Sequence, residues 1–200
     1  MEPKSSETSS FDPRHHRKLV RHFDEPGHAH ELTFSCYQRL PLLNTDEYCA
    51  LLSQAIEQAV EKQGFELIAF VYMPEHVHLI VWAIHDEAKV SKLLWAIKRP
   101  HSYRVKQRMI AHAVPMLDRL TIRERPGTTV FRFWQEGGGY DRNVRSEKVL
   151  KVAIDYLHHN PVRRGLCDSP GDWLWSSWRF YWEPESYADS RLPKIHGWSG

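Results

Sequence analysis

The sequence contains little cysteine and no long apolar run. Three cysteines occur among 200 residues, Cys36, Cys49 and Cys167, and no two of them have Cys-x-x-Cys spacing. This number and spacing disfavour a disulfide framework and a cysteine zinc site, and they fit a reducing cytosol. No segment approaches the roughly 18 apolar residues that span a bilayer, and residues 1–10 lack the apolar core of a secretory signal. We therefore expect a cytoplasmic protein with no membrane partner.

The net charge of +2 conceals an uneven distribution of charged residues. Residues 1–88 contain 7 Lys and Arg against 14 Asp and Glu, whereas residues 89–165 contain 17 against 6. Residues 89–165 therefore have a net charge of +11. A basic block in a nearly neutral protein indicates a phosphate-binding face, and hence a nucleic-acid partner. The alternative is a solvated helix surface with unpaired Lys and Arg.

Apolar periodicity predicts a mixed α+β domain. Alternating or continuous apolar runs indicate strands, and spacing of three to four residues indicates helices. Pro100 is expected to interrupt the second helix, because proline cannot continue the hydrogen-bond ladder, and the helix can restart there because proline suits a first-turn position. The predicted strands are 31–38, 65–73, 76–84 and 130–134, and the predicted helices are 45–64, a basic helix from 90, and 146–159.

This order predicts a ferredoxin-like α+β fold, an antiparallel sheet with helices packed on one face. The second and third strands are joined by two residues and read as a hairpin. We expect three parts in the chain: a flexible basic arm over 1–27, one domain over 28–183, and a tail over 184–200.

His76-Val77-His78 is the sharpest chemical signal in the chain. In a strand, residues i and i+2 point to the same face, so both imidazoles project to one side. Two neutral imidazoles at this spacing can hold a divalent ion, and two polar rings in an apolar strand need a purpose. A pair of histidines on an exposed sheet face is the alternative. A second pair, His28-Ala29-His30, precedes the first strand, and we interpret it as a loop edge.

Tyr103 and Gln107 form a second constellation, because residues i and i+4 are neighbours on one helix face. A phenol is a possible nucleophile toward phosphorus, and a glutamine oxygen could complete a metal site begun by two histidines. Ordinary helix packing would explain the pair equally. Five cations surround Tyr103 in sequence and are the candidate DNA-binding residues: Lys98, Arg99, Arg104, Lys106 and Arg108.

Other aromatic residues leave alternatives open. Five tyrosines compete with Tyr103 as nucleophile, namely Tyr37, Tyr48, Tyr72, Tyr140 and Tyr156. Tryptophans concentrate near the C-terminus, where they could stack unpaired bases or serve as large packing residues. We favour packing for most of this group, which comprises Trp173, Trp175, Trp178 and Trp182.

Five segments resemble, in the same order, segments of the single-tyrosine HUH transposases, which include the REP-associated tyrosine transposases of bacterial chromosomes. Residues 72–81 resemble the family's MPNHVHLL segment, and residues 94–107 resemble a helix that carries Lys, the catalytic Tyr, and Asn or Gln four residues later. The remaining three, 134–137, 156–166 and 173–177, resemble the WQEG, YIHxNPVRAGL and YPWSS segments. The resemblance spans residues 30–182.

The resemblance implies a ferredoxin-like palm and transesterification of DNA. Tyr103 would attack the scissile phosphate, form a 5′-phosphotyrosine and free a 3′-hydroxyl. Mg²⁺ or Mn²⁺ would be held by His76, His78 and Gln107. The implied substrate is single-stranded DNA next to a hairpin, handled by a monomer or homodimer that is associated with the nucleoid.

Two features depart from the family pattern. Pro100-His101 falls between the lysine and the tyrosine, and Gly137-Gly138-Gly139 follows the WQEG-like segment. The alternative function is a non-catalytic single-stranded DNA- or RNA-binding protein that retains the fold. Such a protein predicts a damaged site, yet all four implied site residues are present.

Overall fold

A computed structural model describes residues 28–197. The arm expected over 1–27 lies outside the described residues. Within these residues the structure has six strands and six α-helices. The strands are β1 Ala29–Ser35, β2 Phe65–Met73, β3 His76–Ala83, β4 Thr121–Arg125, β5 Thr128–Phe131 and β6 Tyr140–Val144, and the helices are α1 Asp46–Gln63, α2 Val90–Ala111, α3 Met116–Leu120, α4 Glu147–His158, α5 Asn160–Arg163 and α6 Trp178–Trp182.

The central sheet has four antiparallel strands in the order β2-β3-β1-β6. The predicted α+β class and antiparallel sheet are confirmed. The prediction for the fourth strand is corrected, because residues 128–131 form a separate hairpin with β4 and the sheet is completed by β6. Only Val144 of β6 is buried, so this edge strand lacks the apolar run that identified the others.

Helices cover both faces of the sheet rather than the single face expected. Alternate residues of β3, Val77 and Leu79 among them, join one core with α1 and α2. The intervening position Ile80 joins a second core with Leu150 and Leu157 of α4. Because successive strand residues point to opposite faces, α4 lies on the opposite side of the sheet from α1 and α2.

Helix α2 runs without a break from Val90 to Ala111 and contains Pro100. The expected interruption is absent from this helix. Ile97 and His101 on either side of the proline are fully buried. Packing of the apolar face of a helix contributes most of its stability in a protein, and it here offsets the one hydrogen bond that proline removes.

The C-terminal segment packs against the rest of the domain. Leu192 and Ile195 are buried in the same core as α1 and α2. The His196 N–H donates to the Leu67 carbonyl at 3.0 Å, which ties the segment to β2. Within residues 28–197, no helix has the length and apolarity needed to cross a membrane.

Candidate active site

The two histidines of β3 point their outer ring nitrogens at each other. Nε2 of His76 lies 2.9 Å from Nε2 of His78. The predicted strand is confirmed, and its two-residue period places both rings on the α4 side of the sheet. His76 is 9% exposed, so the pair sits in a recess and not on an open surface.

A hydrogen-bond partner at Nδ1 of each imidazole fixes the direction in which its Nε2 points. His76 Nδ1 lies 3.1 Å from Glu75 Oε1, and His78 Nδ1 lies 2.8 Å from Thr33 Oγ1. A carboxylate only accepts, so His76 donates through Nδ1 and keeps a lone pair on Nε2. With the matching tautomer at His78, two lone pairs converge on one point, an arrangement that a cation satisfies.

The surroundings keep both rings neutral. Burial lowers the pKa of His76 below its usual value, although Glu75 opposes that shift. Burial lowers the pKa of His78 to about 3, and the charges of His76 and Arg163 add to the effect. Neutral imidazole is the form that binds metals, so the pair is in the state required of a ligand.

Glu75 links the histidine pair to the end of helix α5. Arg164 Nη1 donates to Glu75 Oε1 at 2.6 Å. Burial would raise the pKa of Glu75, but the Arg164 hydrogen bond and the nearby His76 hold it below the usual value. The ionised carboxylate therefore orients His76 and is itself held by the residue that follows α5.

The donor set fits a divalent ion with further oxygen ligands. Within residues 28–197, no cluster of three or more His, Cys, Asp or Glu side chains could hold a metal. His76 and His78 would supply two nitrogens. The other positions would have to be filled by an amide oxygen, water or substrate phosphate, as Mg²⁺ and Mn²⁺ accept.

Tyr156 and Asn160 lie on the face of the sheet that carries the histidines. They are four residues apart at the end of α4 and the start of α5, and Tyr156 is 55% exposed. The Arg163 guanidinium lies 3.7 Å from the centre of the Tyr156 ring, and its Nη2 donates to Asn160 Oδ1 at 3.2 Å. Arg163 thus contacts the phenol ring, contacts the amide, and acts on His78 through its charge.

The structure does not bring Tyr103 and Gln107 to the histidine pair. Both lie on α2, and Val105 and Met109 of that helix are buried in the core on the opposite side of the sheet. Tyr103 is 65% exposed on the outer surface of α2. Within one chain, a metal bound by His76 and His78 cannot also bind Gln107, because the sheet separates them. The expected four-residue cluster is corrected accordingly.

The five predicted DNA-binding cations do not share one surface. Arg104 donates to Gln58 of α1 at 3.0 Å, and Arg108 forms an exposed ion pair with Glu47 at 3.0 Å. Lys98 donates to the Gly137 carbonyl at 2.9 Å. The other two cations contact aromatic rings: Arg99 lies over Trp95 at 4.9 Å and Lys106 over Phe131 at 5.9 Å.

His30, Tyr72 and two of the C-terminal tryptophans have structural roles. His30 is fully buried in β1, with Nδ1 3.1 Å from Asp141 Oδ1. Tyr72 is buried against Ser53. Trp173 and Trp175 use their indole N–H groups to bind the Tyr72 carbonyl and the Asp46 carboxylate, which supports the packing interpretation.

Among the competing tyrosines, Tyr140 also lies on the histidine face. It pairs with Thr33 across β6 and β1, and Thr33 pairs with His78. The sequence carries the same signal at Tyr156 as at Tyr103. Asn160 follows Tyr156 by four residues, as Gln107 follows Tyr103.

Comparison with known proteins agrees with the resemblance seen in the sequence. Residues 27–117 match the family described as "Transposase IS200 like". A Haemophilus influenzae protein named as a REP-associated tyrosine transposase is 24% identical over 72% of this chain and 76% of its own length. The REP-associated tyrosine transposase of Escherichia coli is 25% identical over 72% of this chain and 73% of its own length.

The fold has a solved counterpart. The structure of a REP-associated tyrosine transposase bound to a REP hairpin matches with a TM-score of 0.62 and 21% identity, over 90% of this chain and 96% of that one. The chain is therefore similar in sequence to IS200-like and REP-associated tyrosine transposases, and it shares the fold of the solved one.

Proposed function

We propose that the protein is a metal-dependent single-stranded DNA endonuclease that cuts and rejoins DNA through Tyr156. The observation that carries the proposal is the convergence of His76 Nε2 and His78 Nε2, 2.9 Å apart, on the sheet face covered by the helix of Tyr156. A bound Mg²⁺ or Mn²⁺ would polarise the scissile phosphate. The two imidazoles would hold the ion, and Glu75 and Thr33 would orient them.

Tyr156 is the phenol best placed to act as nucleophile. Its helix packs beside the histidines through Leu157 and Ile154, and the phenol itself is exposed to an incoming strand. The guanidinium of Arg163, against the ring, supplies positive charge where a phosphate would approach. Charge-assisted hydrogen bonds between arginine and phosphate are strong and directional, so Arg163 would help to align the reacting group.

Asn160 is our candidate for the third protein ligand. Its Nδ2 donates to the Leu157 carbonyl at 3.1 Å, which directs Oδ1 away from the helix backbone. Oδ1 accepts from Arg163, and that guanidinium would turn to phosphate when the amide oxygen binds the ion. An amide oxygen with two imidazole nitrogens is a donor set that Mg²⁺ and Mn²⁺ accept.

The proposed reaction conserves the number of phosphodiester bonds. The Tyr156 oxygen forms a bond to phosphorus while the bond from phosphorus to the 3′-oxygen breaks, and that oxygen leaves as a 3′-hydroxyl after taking up a proton. The product is a 5′-phosphotyrosine. Attack of a 3′-hydroxyl on this intermediate restores a phosphodiester and frees the phenol, which rejoins DNA without an external energy source.

The proposed substrate is single-stranded DNA beside a hairpin. A solved relative by fold is bound to a REP hairpin, and residues 89–165 of this chain carry a net charge of +11. Positive charge supplies affinity for the phosphates of DNA of any sequence. A hairpin beside a single strand presents, in addition, a shape and unpaired bases that a protein can recognise.

The test is formation of a covalent adduct on hairpin-flanked single-stranded DNA with Mn²⁺. We expect the wild type and Tyr103→Phe to form the adduct and Tyr156→Phe to form none, since phenylalanine keeps the ring and removes the oxygen. Peptide mapping should place the DNA on the peptide that contains Tyr156. DNA on Tyr103 or Tyr140 would overturn the assignment of the nucleophile, and no adduct in any variant would favour a non-catalytic DNA-binding protein.

A further inference from the structure

A groove of about 700 Å³ lies on the α2 side of the sheet, away from the histidine pair. One wall is the part of α2 that carries Trp95, Lys98 and Arg99. The other wall is chain segment 130–138, which follows from β5 into the glycine-rich loop. None of the chemistry proposed above uses this groove.

The α2 wall presents an aromatic ring together with a guanidinium. Trp95 is 61% exposed, although tryptophan is among the most costly side chains to leave in water. The Arg99 guanidinium lies 4.9 Å from the Trp95 ring centre. An exposed indole with an arginine at its face forms the kind of platform on which unpaired bases stack, with the cation close to their phosphates.

Positive charge exceeds negative charge on the side of the groove nearest α2. The carboxylates of the opposite wall, Glu124 and Glu136, both pair with Arg132. Lys98 reaches from α2 to the Gly137 carbonyl at 2.9 Å. Burial lowers the pKa of Lys98 to about 8, so its ammonium is still mainly charged at neutral pH. Lys98 and Arg99 therefore remain to attract an anionic ligand.

The wall opposite α2 contains a polar atom without a partner. Trp134 is 6% exposed, and among residues 28–197 no acceptor reaches its indole N–H. A buried donor without an acceptor costs stability, which a ligand carbonyl or phosphate oxygen could recover after a small shift of the wall. The groove thus offers a stacking surface and two cations, and one of the side chains that line it has a buried indole N–H without an acceptor.

One end of the groove adjoins Ser35 at the end of β1, the residue that pairs with His76 of β3. The Gln135 N–H donates to the Ser35 carbonyl at 2.8 Å, and Ser35 pairs with His76 across β1 and β3. Gly137 and Gly138, which have no side chains, line the groove between that end and Lys98. A single strand leaving the histidine pair at the end of β1 could therefore continue over the loop into the groove.

We propose that this groove binds a segment of unpaired DNA beside the cleavage site, with a base stacked on Trp95 and the phosphates near Arg99 and Lys98. The inference rests on the proposed function for the identity of the nucleic acid. A duplex hides its base faces, so the exposed indole selects an unpaired strand. A peptide would use the indole equally well but has no general need for two cations beside it.

The experiment measures binding of a fluorescent oligothymidine to the full chain in EDTA, where cleavage cannot contribute. We expect Trp95→Ala to weaken binding about tenfold, in the range of one base stacked on an aromatic ring. Trp95→Phe should retain most of the affinity. Trp182→Ala is the matched control, because Trp182 is also exposed, at 49%, but lies outside the groove.

Cross-linking locates the bound strand independently of affinity. An oligothymidine that contains 4-thiothymidine should cross-link to a peptide from α2 or from 130–138. Unchanged affinity in Trp95→Ala, or cross-links only elsewhere, overturns the inference even if the protein forms the Tyr156 adduct. Conversely, weaker binding in Trp95→Ala with no adduct in any variant leaves the groove as a single-strand site and overturns only the catalytic proposal.

Discussion

The two faces of the central sheet are built from the same strands but differ in what they bury. On the α1 and α2 face, β3 contributes Val77, Leu79 and Val81, all fully buried among apolar side chains. On the α4 face, the positions that alternate with these are His76, His78 and Ile80, and only Ile80 joins an apolar core. One face therefore serves stability along its whole length, while the end of the other is left for polar chemistry.

Because of this difference, we expect substitutions at adjacent residues of one strand to reduce either activity or stability, but not both. We expect His78→Ala to reduce adduct formation by on the order of a thousandfold or more, because one nitrogen ligand of the proposed ion is lost. The thermal unfolding midpoint should change little, since the ring lies at the polar end of its face. Adduct yield on hairpin-flanked DNA and the midpoint are the two measurements, and an active His78→Ala protein would contradict the metal assignment.

The reciprocal change is made on the opposite face. Leu79 is fully buried, and Leu79→Ala should lower the free energy of unfolding by about 2–5 kcal/mol, through lost transfer energy and a residual cavity. Denaturant unfolding measures that loss. Adduct formation well below the unfolding midpoint should remain near the wild-type level. Normal stability in this variant would show that α1 and α2 do not anchor the sheet as the packing indicates.

Acid should destabilise the apolar face through a buried histidine. His101 of α2 is fully buried against Phe133 and Trp134. Burial and the charge of Arg104 lower the pKa of His101 to about 4. The hydrogen bond between its Nε2 and the Tyr48 carbonyl opposes this shift. The unfolded chain protonates near pH 6.5. Stability is therefore complete above pH 6.5 and is lost as pH falls toward 4, by about 3 kcal/mol.

His101→Gln is the matched control for that pH dependence. The glutamine amide can donate to the Tyr48 carbonyl from a similar position but does not titrate. Urea unfolding of both proteins between pH 7 and pH 4 should show a shallower loss in His101→Gln. Parallel curves for the two proteins would assign the acid sensitivity to other groups.

The contrast between the faces also explains which features the sequence could predict. The histidine pair depends on a two-residue period inside one strand, which is a local property, and its orientation followed directly. The strands β2 and β3 were recognisable because both are apolar almost throughout. Strand β6, with one buried residue in five, lacked that signal and emerged only through its pairing with β1.

The face on which a helix packs could not be read in the same way. Tyr103 with Gln107 and Tyr156 with Asn160 have identical spacing, and cations surround the first pair more densely in sequence. The choice between them depends on the path of the chain around the sheet, which places α2 beside α1 and α4 beside Ile80. Sequence proximity to positive charge was therefore a poor guide to proximity to the histidines.

The smallest predicted effect concerns Thr33, which orients the proposed metal ligand His78 without binding the metal itself. Thr33 lies on β1, and its Oγ1 is 2.8 Å from His78 Nδ1. Thr33→Val keeps the shape and removes the hydrogen bond, so His78 loses the contact that fixes its tautomer. Loss of such outer contacts typically weakens metal binding about 10- to 100-fold. Calorimetric titration with Mn²⁺ measures this directly, with Thr129→Val on the separate hairpin as control. Equal Mn²⁺ affinity in wild type and Thr33→Val would mean that the packing of the ring, and not this bond, sets the direction of Nε2.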